Sequence, residues 1–132
     1  HVLVEGGGTI DAMITQMRAK RLVIDSITSF SLLFQDELTQ KESSLALFEL
    51  INRWGCTAVL TSEASQSADE LSATLQFEVD SIILLYHFKK DGVRNRAIEI
   101  LKMRGTKTPE RVLKLTIEKD GLVVNPAQVV AV

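Results

Sequence analysis

The chain has 132 residues, 45% hydrophobic and 24% charged, which is enough for one domain with a core and too little for two. Its net charge of −2 gives no global basic field to attract nucleic acid or an anionic membrane. The single cysteine, Cys56, excludes an internal disulfide framework, and no apolar stretch approaches the roughly 20 residues of a membrane span.

Cys56 lies just before an apolar run and reads as a small buried hydrophobe in a reducing, cytoplasmic protein. The chain starts at His1 without a methionine and enters an apolar run at once, the expected look of a piece of a longer protein. Val2-Leu3-Val4 is a short strand candidate, followed by a Gly6-Gly7-Gly8 turn. Thr9 is placed to cap a helix whose Ile10, Met13, Ile14 and Met17 recur on one face. Arg18, Lys20 and Arg21 form a basic cluster at its end, favourable beside a helix C-terminus.

Arg21-Leu22-Val23-Ile24-Asp25-Ser26-Ile27 comes next. A continuous apolar run of this length predicts a strand buried on both faces of a parallel sheet. Asp25 then sits at its carboxyl end, where open α/β sheets place ligands. A carboxylate there can hold Mg²⁺ beside nucleotide phosphates, or simply cap the strand. Residues 28–38 have no clear period and read as a loop or short packed turn.

Thr39-Gln40-Lys41-Glu42 has capping-box spacing and predicts a helix over about 40–54. Leu47, Leu50, Ile51 and Trp54 form its inward stripe, and Gly55 its stop. Thr57 to Thr61 reads as another buried strand, ending in Ser62-Glu63. Residues 64–76 are loop-like, and Val79 to Phe88 holds a third apolar run read as buried. Arg94 to Met103 and Val112 to Val124 are longer, mixed strands, with hairpin signals at Asp91-Gly92 and Lys119-Asp120-Gly121. Short buried strands alternating with helices, then a meander, predict an α/β fold with a mixed sheet.

Three polar clusters follow strands. Asp25-Ser26 and Ser62-Glu63 leave the same edge of a parallel sheet and can share a crevice, with Glu63 orienting a phosphate or water, or merely beginning a solvated loop. Lys102 and Arg104 are two apart, so in a strand they share a face while Met103 points away. Such a pair suits phosphate, Arg as a fork and Lys as a point charge, or is simply an exposed surface pair.

No G-x-x-x-x-G-K-[ST] loop occurs anywhere, and Gly105-Thr106-Lys107-Thr108 lacks the required glycine and adjacent lysine. His1, Cys56 and His87 have no zinc spacing, and neither Ser26 nor Ser62 sits in a nucleophile elbow. Between Arg53 and Lys89 there is no Lys or Arg, while Glu63, Asp69, Glu70, Glu78 and Asp80 all fall there. That segment repels a phosphate backbone, which argues against DNA contact through it.

With these residues in view, the chain resembles the C-terminal part of a KaiC-like ATPase domain of the RecA superfamily, a P-loop NTPase fold. Residues 21–27 resemble that family's Walker B strand, and Leu60-Thr61-Ser62-Glu63 its next strand end. The run from Ala97 through Leu101-Lys102-Met103-Arg104-Gly105, with Leu115 to Val124, resembles its closing strands. The resemblance implies a three-layer core of parallel strands followed by an antiparallel C-terminal meander.

It also implies ATP and Mg²⁺ as ligands of the parent protein. Asp25 would hold Mg²⁺ through water with Ser26 beside the nucleotide, and Glu63 would lie near the γ-phosphate. Lys102 and Arg104 would reach ATP on the neighbouring subunit of a ring, usually a hexamer, and so stay unpaired within their own chain. Residues 1–132 would be only the C-terminal portion of the domain. The strand that carries the phosphate loop would be missing between the strands at 57–61 and 79–86, leaving an incomplete sheet. The expectation is that this chain alone binds ATP poorly. A non-catalytic assembly or regulatory module is the alternative, and a repair ATPase akin to RecA or RadA, which the acidic 64–80 segment disfavours, is a third.

Overall fold

The computed structural model describes residues 8–63 and 76–132 in two units, one before and one after the boundary at Glu78–Val79. The expected strand at Val2–Val4 and the loop over 64–75 lie outside the described residues.

The first unit runs α1 (Thr9–Met17), β1 (Arg21–Ile24), α2 (Ile27–Ser31), α3 (Glu37–Trp54) and β2 (Thr57–Leu60). Strands β1 and β2 pair in parallel, Leu22 beside Ala58 and Ile24 beside Leu60. These four side chains pack with Phe30 and Trp54 against buried Ile27, Leu47 and Ile51. Alternation along each strand sends Val23 and Val59 to the opposite face, where they are 67% and 57% exposed. The expectation of strands buried on both faces is therefore met on one face only. The apolar runs supply two hydrophobic faces, and among the described residues of this unit helices cover one.

Helix α3 starts three residues earlier than the capping-box spacing predicted. Asp36 is its N-cap, accepting hydrogen bonds from Thr39 N at 2.9 Å and Thr39 Oγ1 at 2.6 Å. Those donors hold the Asp36 carboxyl below its usual range. A lowered folded pKa means the cap's contribution is present above the unfolded value and fades as pH falls through the folded one. The expected stripe is present: Leu47, Leu50 and Ile51 are buried, Trp54 half-buried, and Gly55 closes the helix at φ +62°. Ile27, expected to end the strand, and residues 28–31, expected as a loop or short packed turn, form α2, where Ser26 Oγ accepts from Ser29 N and Phe30 stacks edge-on with Phe34 at 5.3 Å. Helix α1 lacks the Thr9 cap: Gly8 is the N-cap residue, and Met13 and Met17 are exposed.

Ser44, in the middle of α3, is 0% exposed, and its Oγ has no hydrogen-bond partner among the described residues. A buried hydroxyl without a partner costs about 1–3 kcal/mol, and alanine is the better helix former. Ser44→Ala is therefore expected to stabilise the chain by about 1 kcal/mol, read as a higher midpoint in urea.

The second unit is an antiparallel sheet in sequential order, with strands β3 (Ser81–Lys90), β4 (Val93–Met103), β5 (Leu113–Glu118) and β6 (Gly121–Val129). Both hairpin signals become turns, with Gly92 at φ +80° and Gly121 at φ +131°. Ala97 and Leu115 are its buried residues, and Tyr86 donates to Glu99, which pushes the phenol's pKa up. Pro126 is tolerated because β6 is an edge strand. The reading of residues 82–86 as doubly buried needs correction: exposure alternates along β3, and Leu85 is 70% exposed. The meander also forms a sheet of its own, with no ladder to the β1–β2 pair among the described residues.

Candidate functional site

Because β1 and β2 run parallel, their carboxyl ends leave on the same edge, and that edge carries the first cluster. The register Ile24–Leu60 brings the next residues, Asp25 and Thr61, side by side. Thr61 Oγ1 donates to Asp25 Oδ1 at 2.5 Å. Two backbone bonds continue the pairing past the strands, from Thr61 N to Ile24 O and from Ile27 N to Thr61 O. Asp25 is exposed, and the peptide that joins it to Ser26 is cis.

Ser26 is the N-cap residue of α2. Its Oγ caps α2 and lies 3.0 Å from Ser29 Oγ. Glu63 follows β2 by three residues, and its backbone N donates to Thr28 Oγ1 at 3.0 Å. Thr28 Oγ1 also lies 3.3 Å from Ser62 Oγ, so the first turn of α2 and the end of β2 are tied by hydroxyls. Thr28 and Thr61 are the residues that sequence reasoning missed. Thr61 was findable, since parallel pairing of the two apolar runs in register puts it opposite Asp25.

An exposed carboxylate among hydroxyls is a hard-oxygen site. It fits an ion that keeps its waters and takes one protein carboxylate plus phosphate oxygens, as Mg²⁺ does. Among the described residues there is no cluster of three or more His, Cys, Asp or Glu side chains that could hold a metal ion.

The second unit holds Lys102 and Arg104. Strand β4 ends at Met103, so the shared-face argument reaches Lys102 but not Arg104, which begins a turn. The expectation that the pair stays unpaired within its own chain is overturned. Arg104 Nη1 lies 2.9 Å from Asp80 Oδ1, and Arg104 N donates to Asp80 O at 2.9 Å. The antiparallel ladder explains this: Ser81 sits opposite Met103, so the residues just outside that pair, Asp80 and Arg104, meet. Both side chains are exposed, and such pairs contribute about 0–1 kcal/mol.

Among the described residues no helix is long and apolar enough to cross a membrane. A family model described as "ATPase: KaiC" matches residues 5–129. The circadian clock oscillator protein KaiC of Synechococcus elongatus is 30% identical over 135 residues, covering 93% of this chain and 25% of that protein. The circadian clock protein KaiC3 of Synechocystis is 28% identical over 120 residues, covering 89% of this chain and 24% of that one. Among solved structures, the KaiC-like protein PH0186 from the archaeon Pyrococcus horikoshii superposes with a TM-score of 0.76 at 32% identity, over 89% of this chain and 51% of the other. The chain thus spans from a quarter to about half the length of these relatives. A match over nearly the whole chain, together with a parallel strand pair followed by an antiparallel meander, makes this chain a member of the KaiC family of ATPases.

Proposed function

We propose that this chain is the C-terminal portion of a cytoplasmic KaiC-like ATPase domain, carrying its metal-side acid and its inter-subunit cations. The single observation that supports this most is the Asp25–Thr61 pair at the shared carboxyl edge of β1 and β2. That is where an α/β sheet presents ligands. In this reading Asp25 holds Mg²⁺ through water, Ser26 fixes the start of α2 beside the nucleotide, and Glu63 orients the γ-phosphate or the attacking water. Lys102 and Arg104 act on ATP bound to the next subunit of a ring, with Arg104 exchanging Asp80 for phosphate oxygens. Bound Mg²⁺ supplies charge neutralisation between phosphate oxygens, and the chain's own residues position it.

Without a G-x-x-x-x-G-K-[ST] cradle, this chain is expected to show no Mg²⁺-dependent binding of a fluorescent ATP analogue below millimolar concentration. Micromolar binding that requires Mg²⁺ and disappears in Asp25→Asn would overturn the claim that the chain is incompetent alone.

A further inference from the structure

At the opposite edge of the parallel pair, residues of α1 and the C-terminal end of α3 line an open surface cleft of about 610 Å³. Its wall carries three cations, Arg18, Lys20 and Arg53, against one carboxylate, Asp11. Positive charge is thus concentrated here in a chain whose net charge is −2. Asp11 is engaged with the cleft's aromatic wall, accepting from Trp54 Nε1 at 2.6 Å.

The bland reading is that the cations serve as helix C-terminal charges. Backbone caps satisfy some of the last carbonyls, and the cations' favourable interaction with the helix C-termini stands beside them. Arg18, at φ +49°, and Ala19 give their N–H groups to Thr15 O and Ile14 O, and Gly55 N bonds Asn52 O. None of the three cations makes an ion pair or side-chain hydrogen bond among the described residues, which leaves their N–H groups available to an anion.

We propose that this cleft binds a small phosphate-bearing anion of the diphosphate class, at a site separate from the nucleotide edge. Lys20 and Asp25 flank β1 at its two ends, about 16 Å apart at the rise of an extended strand. The site is therefore independent of the Mg²⁺ reading of Asp25, and the two can fail separately. Arg18 and Arg53 supply planar forks for phosphate oxygens, Lys20 a point charge, and Trp54 an apolar wall.

Trp54 is the only tryptophan, so its fluorescence reports on this cleft without a label. The full chain is titrated with inorganic pyrophosphate in EDTA at constant ionic strength. A saturable change with a midpoint below about 1 mM is expected, weakened at least tenfold in Lys20→Ala/Arg53→Ala and unchanged in Asp25→Asn. Both cations are exposed, so the double variant is expected to keep its far-ultraviolet circular dichroism, and Arg53→Gln alone gives an independent reading. A change that sodium chloride reproduces, or one indifferent to these variants, overturns the proposal.

Discussion

Arg104→Ala is expected to lower ATP hydrolysis by about a thousandfold or more in the longer KaiC-like protein that the proposal builds around this segment. A cation that meets the γ-phosphate only in the transition state contributes on that scale, because charge spreading over the phosphoryl oxygens is what the protein must stabilise. Lys102→Ala is expected to act in the same direction. The trans assignment makes a sharper demand than loss of activity. Subunits carrying Arg104→Ala, inactive alone, should regain hydrolysis when mixed with subunits disabled in the phosphate loop, since some mixed interfaces then hold one intact half from each. If mixed rings recover nothing, Arg104 does not act across the interface. Asp80→Asn provides the control. Asp80 only holds the guanidinium in an exposed pair, so its loss should leave hydrolysis within a few-fold.

The largest effect on stability is expected from Leu47→Ala. Leu47, on α3, is buried in the cluster with Ile27 and Ile51, against which Leu22 and Ile24 of β1 and Ala58 and Leu60 of β2 pack. Truncating such a leucine costs about 2–5 kcal/mol through lost transfer energy and the cavity left behind. Native domains hold only about 5–15 kcal/mol in all, so this unit is expected to be largely unfolded at modest urea. Trp54 packs on the same cluster, and its emission should shift to the red at a lower midpoint. Leu32→Ala, at a site 77% exposed, should stay within about 0.5 kcal/mol. Equal loss in both variants would show that the cluster is not the core.

What the sequence made legible follows from how local each signal is. The β1 strand and Asp25 are written in one uninterrupted run, and the stripe of α3 in four residues at helical spacing, so both were readable. The start of α3 was not, because Thr39 and Glu42 mimic a capping box while Asp36, three residues earlier, makes the actual cap. Helix α2 was missed because five residues are too few to establish a period. The Arg104–Asp80 pair joins residues 24 apart and depends on the register of one hairpin, which no local pattern fixes. Apolar continuity also overstated burial in β1, β2 and β3. A run such as Ile82 to Tyr86 records what the strand is suited to face, and only the second layer decides whether it faces that or water.

Val23 and Val59 stand side by side in register on the face of the first sheet that no element of its own unit covers among the described residues. During biosynthesis, two neighbouring strands that present valines to water offer a sticky surface to chaperones and to other nascent chains until something shields them. Yield and recovery of this polypeptide in cells should therefore be set less by the strength of its helical core than by how soon a shielding surface arrives, and production alongside such a surface should outperform production alone.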